Sequence, residues 1–332
     1  MRDTLKTIAA AYGPTGSEEN ICGVIRKMVE GLVDEITVDA LGNLICVKKG
    51  AGKKIMLAAH MDQIGFIVTH ADENGFLRVC NVGGISKANS LNRHVVFENG
   101  VSGVLAHEAE NFNPADNDMN SLYIDIGAAD REDALKRVQV GDVAVYSPDI
   151  FDLGDDLVSG PAMDDRCGCA VVVEVLRALK DRNCPNEVVA VFTTQEEVGL
   201  RGAKVAAYAV TPDIGIALDV TQCGDTPKGF KIAVKAGKGP CIKIFDRSHV
   251  GSPKVVKLME KAAQTAGVPY QREVLTAGGT DAAAIQMTKG GIPATTLSIA
   301  CRYVHSACEA VSVSDMVNGA KLLTAVCMDE NI

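Results

Sequence analysis

The run Val188-Val-Ala-Val-Phe-Thr-Thr194 sets apolar and β-branched residues side by side with no polar alternation. A strand with one face in water alternates. This one reads as buried on both faces, the pattern of a largely parallel sheet with helices packed against each side. Two adjacent carboxylates, Glu196 and Glu197, follow the run, and Gly199 and Gly202 then loosen the backbone. In open α/β sheets, ligands bind beyond the carboxyl ends of the strands, so the pair falls where chemistry is usually found. Neighbouring side chains on an extended backbone point apart, so one Glu is expected to face a metal and the other the substrate.

Other segments supply the rest of an α/β pattern. Lys54-Ile-Met-Leu-Ala-Ala-His60 is a second buried strand, with His60 and Asp62 at its end. Asp62 lies two residues on, on the same face, where it can accept the second ring N–H of His60 and fix its tautomer. Residues 214–220 and 294–299 read as further strands, and residues 170–179, 254–263, 282–287 and 315–328 as helices. Near the start, residues 1–12 have amphipathic helical spacing, and Ser17 is the expected N-cap of a second helix. Between residues 67 and 158 the texture changes to short strands separated by Gly, Asn and Asp turns. Asp72-Glu-Asn-Gly75 is a hairpin signal there, and the segment reads as a small β domain inserted into an α/β one.

With 332 residues, two domains are the natural expectation. A net charge of −9 argues against nucleic acid or an anionic membrane surface as partner. No apolar run approaches the roughly 18 residues needed to span a bilayer, and no signal-peptide core follows the first basic residues. Eleven cysteines without a Cys-x-x-Cys pair fit buried thiols in a reducing cytoplasm. Cys167 and Cys169 are read as packing residues.

His60, Asp164, Glu197, Asp219 and His305 all fall at strand ends or turns. Imidazole plus carboxylate, without thiolate, is the donor set of catalytic zinc, cobalt or manganese rather than of a structural zinc. Each is weak alone: Asp164-Asp165-Arg166 also suits a turn with a surface ion pair. A two-metal hydrolase needs about this inventory, with ions roughly 3.5–4 Å apart and one free carboxylate as base.

The segments Ala59-His-Met-Asp-Gln-Ile-Gly65, Gly160-Pro-Ala-Met-Asp-Asp-Arg166, Thr193-Thr-Gln-Glu-Glu-Val-Gly-Leu-Arg-Gly-Ala203, Leu218-Asp-Val220 and Arg302-Tyr-Val-His-Ser306 occur in that order. Together they resemble the tetrahedral (TET) metallo-aminopeptidases, some of which carry the names glutamyl aminopeptidase, deblocking aminopeptidase or endoglucanase M. The resemblance extends from the first helix to the last. It implies a mixed-sheet α/β/α metallopeptidase domain at residues 1–66 and 159–332. Residues 67–158 would be an inserted, β-barrel-like dimerisation domain.

It also implies two divalent ions per subunit, zinc or cobalt first and manganese after them. Asp164 would bridge them, His60 and Asp219 would complete one site, and Glu197 and His305 the other. Glu196 would be the general base, with Asp62 beside it in the catalytic group. A cis peptide between Asp164 and Asp165, dimers assembled into a hollow dodecamer, and short peptides as substrates are further implications. Two departures concern substrate preference more than chemistry: Gln63 stands where the family often has Glu, and Ala307-Cys308 where Pro is frequent. Gly278-Gly-Thr-Asp-Ala282 resembles the family's loop beside the substrate, although Thr280 or Asp281 would serve equally as a helix cap.

Three rival functions remain on the sequence alone. A glycosidase also uses paired carboxylates, but a chain with no Trp offers few platforms for sugar rings. A metal-dependent deacylase of N-acyl amino acids shares the same chemistry. A non-enzymatic metal scaffold would leave Glu196 idle.

Overall fold

The computed structural model describes residues 1–108 and 119–332. Among these, an 11-stranded mixed sheet forms one body and a closed six-stranded antiparallel barrel the other. The middle of the sheet is four parallel strands, in the order Glu187–Thr193, Lys54–His60, Ile214–Gln222 and Ala294–Arg302. Consecutive residues of these strands point to opposite layers, and both layers are apolar. Val188, Ala190 and Phe192 enter the larger core, which also holds Ile55, Leu57 and Ala59. Val189 and Val191, with Met56 and Ala58, enter a second core on the other face. Burying a Val or Leu side chain contributes about 1.5–3 kcal/mol, so residues from both faces hold the sheet between its helices.

The long helix Met163–Leu179 and the helices Arg2–Ala9, Glu19–Val29, Pro253–Ala266 and Val313–Cys327 supply the larger core. Arg201–Val210 and Asp281–Gln286 cover the other face. The second helix begins differently from the Ser17 expectation: its N-cap is Glu18 and no side chain caps it. The Glu18 carboxylate instead accepts from the backbone N–H groups of Gly16 (2.8 Å) and Gln195 (3.1 Å), tying the N-terminal turn to the segment after Thr194. Arg166 is no surface residue. It is fully buried and donates to the carbonyls of Ile8 (2.9 Å), Ala11 and Gly13, finishing the first helix.

The barrel runs Gly65–Ala71, Leu77–Val82, Leu122–Asp125, Ser102–His107, Arg93–Phe97, Val143–Tyr146. The Asp72–Gly75 turn closes its first hairpin, with Asp72 N–H donating to the Phe76 carbonyl at 2.9 Å and Gly75 at φ 87°. Its interior is filled by alternate strand residues such as Phe66, Val68, Leu77, Val95, Leu105 and Ile124. Phe151–Leu153 and Leu157–Gly160 already belong to the large sheet, where Leu157–Gly160 pairs with Glu309–Ser312. All eleven cysteines are free thiols. Among the described residues, no helix is long and apolar enough to cross a membrane.

Candidate active site and family membership

The parallel strands Glu187–Thr193 and Lys54–His60 end in register, with Thr193 opposite His60. The two strands stay tied one residue further on, Met61 N–H donating to the Thr193 carbonyl at 2.8 Å. This places Asp62 directly under the Glu196–Glu197 turn. Asp62 Oδ1 accepts from Glu196 N–H (3.0 Å), while Oδ2 accepts from Glu197 N–H (3.3 Å) and the Thr15 hydroxyl (2.7 Å). The pair therefore does not sit on extended backbone. Gln195 adopts φ 54°, turning the chain, and both glutamates line one cleft.

That cleft has a volume of about 390 Å³ and is lined by Asp164, Glu196, Glu197, Asp219 and His305, with Leu200, Thr221, Lys243 and Leu275 farther along. On its floor His60 Nε2 lies 2.9 Å from Asp164 Oδ1, and His305 Nε2 lies 3.3 Å from Asp164 Oδ2. The two oxygens of one carboxylate thus face two different imidazoles. Glu197 Oε2 is 3.5 Å from His305 Nε2, and its Oε1 is buried without a partner. The other nitrogen of His60, Nδ1, lies 3.2 Å from the Asp62 carbonyl and 3.4 Å from its carboxylate. Asp219 lies inside the strand Ile214–Gln222, not at its end, and its Oδ1 accepts from Val220 N–H at 2.7 Å. The Asp164–Asp165 peptide is cis.

The electrostatics bear on what the site can hold. Burial, together with the charges of Asp219, Asp281 and Glu197, pushes the Glu196 carboxyl well above the usual carboxylate range. Burial and Asp164 push Glu197 up to about 7, and the same two causes raise Asp219 strongly. Burial disfavours imidazolium at His60, yet Asp164 and Asp62 hold its pKa well above the ordinary value. Asp164 stays ionised despite burial because His305 and His60 flank it. So many acidic groups in one buried place are short of positive charge. One donor atom each from His60, Asp164 and Glu197 falls within 4.8 Å of the others. Oxygen and imidazole donors with excess negative charge and an orphaned carboxylate oxygen fit a divalent metal ion.

Family membership agrees. The profile of the M42 glutamyl aminopeptidases matches residues 42–322. The chain belongs to the M42 peptidases. A relative from Acetivibrio thermocellus, which carries aminopeptidase as a provisional name, is 50% identical over 328 residues, 98% of each chain. Among solved structures, the aminopeptidase APDkam598 of Desulfurococcus kamchatkensis matches with a TM-score of 0.93 at 34% identity, covering 98% of this chain and 94% of the other. The Pyrococcus horikoshii TET1 peptidase, described as assembling into a tetrahedron or a large octahedral shell, matches at 0.88 and 33% identity over 99% of each chain. This M42 peptidase is accordingly a hydrolase of peptide bonds with the TET peptidase fold.

The structure of this M42 peptidase adds residues that the sequence reading left out. Glu309 is buried and accepts backbone N–H bonds from both Asp164 (3.0 Å) and His305 (2.6 Å). Burial and Asp164 raise its pKa to about 8. Lys243, on the cleft wall, is buried against Glu273 at 2.9 Å. The barrel contributes too: Asn89 Nδ2 donates to the His305 carbonyl at 3.3 Å, and Gly84 lies against the His305 ring. Gly278 and Gly279 line the cleft, and Thr280 is the N-cap of the helix that follows, although its side chain makes no capping hydrogen bond. Thr280 Oγ1 meets Thr296 Oγ1 at 2.7 Å, and Asp281 accepts from the Thr193 hydroxyl at 2.5 Å. Apart from the Gly278–Ala282 segment, none of these residues carries a sequence signal: a buried Glu four positions after a His looks like any surface Glu.

Proposed function

We propose that this M42 peptidase is a two-metal aminopeptidase that removes N-terminal residues from short peptides. The observation that carries the reading is Asp164, whose two carboxylate oxygens face His60 on one side and His305 on the other. His60 and Asp219 would hold one ion with it, Glu197 and His305 the other, with zinc or cobalt preferred and manganese accepted. Divalent ions held there would supply the positive charge that polarises a scissile carbonyl and makes water acidic enough to attack it. Glu196, whose side chain faces the cleft without joining the His60–Asp164–His305 contacts, takes the proton of the attacking water and returns it to the leaving amine. Asp62 orients His60 and holds the Glu196–Glu197 turn through their backbone N–H groups. Acidic groups of the cleft receive the free α-amino group, which restricts cleavage to the chain end. The Gly278–Gly279 backbone sits where substrate passes.

Assembly is part of the proposal. We assign the barrel as a dimerisation element, and the shells described for Pyrococcus horikoshii TET1 support dimers that build a hollow dodecamer. Such a particle admits short, unfolded chains. Free thiols throughout suit a reducing, cytoplasmic setting.

The test is release of product from aminoacyl anilides, N-acyl amino acids and soluble cellulose by protein reconstituted with zinc, cobalt or manganese. The expected result is hydrolysis of the anilides alone, abolished by chelation and restored by metal. Preferential release from N-acyl amino acids would replace the aminopeptidase with a deacylase. Light scattering of the native protein should give a mass far above one subunit, and a monomer at every concentration would remove the shell.

A further inference from the structure

His305 differs from the other cleft residues in how it is held. His60 closes a central strand and Asp219 lies within one, so sheet hydrogen bonds fix their backbones. His305 lies beyond the end of Ala294–Arg302, in a turn where it has φ 59° and Tyr303 φ 60°. Asp164 is similarly irregular: it opens the helix Met163–Leu179 with non-helical φ −79° and ψ 108°. Neither backbone N–H is fixed by a sheet ladder. Both go to one carboxylate, Glu309 Oε2 accepting from Asp164 and Oε1 from His305.

Glu309 is itself well anchored. It is 1% exposed and starts the strand Glu309–Ser312, paired on one side with Gly160 of Leu157–Gly160 and, through Ala310, with Arg302 on the other. A rigid, buried carboxylate therefore spans two irregular segments whose side chains meet at 3.3 Å, His305 Nε2 to Asp164 Oδ2. An ionised or hydrogen-bond-accepting carboxylate with two acceptors can hold two donors at a set separation, which no neutral side chain of the same length does.

We propose that Glu309 is a positioning residue: it fixes Asp164 and His305 relative to each other and so sets the affinity of the ion they share. The inference rests on the two-metal reading above. Glu309 touches neither substrate nor ion and acts through the two backbones. Outer hydrogen-bond partners of metal ligands typically affect affinity by about 10–100-fold when removed.

The experiment compares the intact native assembly of wild type, Glu309→Gln and Asp315→Asn. Zinc and cobalt stoichiometry and dissociation constants are measured by competition with a chromophoric chelator, alongside thermal unfolding of the metal-free proteins. In Glu309→Gln one oxygen becomes an N–H donor facing a backbone N–H, so either Asp164 or His305 loses its partner. The ion that Asp164 and His305 share should bind about 10–100-fold more weakly, a larger loss than at the other ion, which Asp164 also holds, and excess metal should restore kcat. Asp315 is the control. It also accepts two backbone N–H bonds while buried, from Gly237 (2.7 Å) and Gly239 (2.6 Å), but it does not line the cleft. Asp315→Asn should lower thermal stability and leave both metal constants unchanged. Wild-type metal constants in Glu309→Gln would overturn the inference, as would equal weakening of both ions in the two variants. A wild-type protein that binds no divalent ion would overturn the two-metal reading beneath it.

Discussion

Replacing each glutamate of the adjacent pair separates the role of the base from that of the ligand. Both backbone N–H groups are held by Asp62, so an isosteric Gln at either position leaves the turn in place. At Glu196 the change removes only the ability to carry a proton, in a group already crowded by burial and by Asp219 and Asp281. A general base is worth about 10²–10⁴ in rate, so Glu196→Gln should lower kcat by that factor, or about 2.7–5.5 kcal/mol in the barrier. Both ions should remain. Glu197 is different: its Oε2 approaches His305 Nε2 at 3.5 Å, and its Oε1 has no protein partner. Glu197→Gln replaces a charged donor by a neutral one and should cost one ion more than the about 10–100-fold typical of a lost outer partner. Elemental analysis for metal per subunit, beside kcat on an aminoacyl anilide with and without excess metal, decides the matter. Metal should rescue Glu197→Gln in part and Glu196→Gln not at all. If Glu196→Gln loses an ion and Glu197→Gln keeps both, the roles are reversed; full activity in both variants would refute the two-metal scheme.

Two further outcomes follow from the same geometry. Burial alone would raise the Asp246 carboxyl, but His249, Ser248 and Lys243 hold it down at about 2. Its folded value thus lies below the unfolded value of about 4, so its stabilisation is complete above about pH 4 and lost as pH falls through about 2. Asp246→Asn should therefore melt below wild type at neutral pH, and the gap should close under acid; a gap independent of pH would count against this. At Gly84, a Cβ would stand 3.1 Å from His305 Nδ1. Gly84→Ala should lower kcat while leaving the melting temperature nearly unchanged, and unaltered kinetics would show that the ring yields freely.

What could be read in advance depended on whether burial coincided with apolarity. Residues 188–194 and 55–59 announce a two-faced sheet because every position is apolar or β-branched, and their ends mark where His60 and the glutamate pair lie. The strand Cys241–Phe245 escapes notice because Lys243, its middle residue, is buried in an ion pair with Glu273, which itself hides the strand Gln271–Val274. A charge satisfied by a distant charge looks in sequence like a surface residue. Glu309 is hidden because its partners are the backbone N–H groups of the distant Asp164 and of His305, and Arg166 because its acceptors are carbonyls at the end of the first helix and just after it. The expectation for Glu196 and Glu197 assumed a backbone extended straight on from the strand, and the left-handed Gln195 places a turn there instead. Ser17 lost its capping role to Glu18, whose longer side chain reaches Gln195.

The contact between barrel and cleft limits how far this protein can be treated as two exchangeable modules. The turn after Leu77–Val82 carries Gly83 at φ 82°, where a Cβ would stand 3.1 Å from Glu197 Oε2, and then Gly84 against His305. Asn89, a few residues on, reaches the His305 carbonyl. A chimera that takes its barrel from another M42 peptidase therefore also imports part of the lining of the cleft. Such a graft keeps the cleft intact only if it preserves the two glycines and the Asn89 amide, however well the new barrel folds by itself.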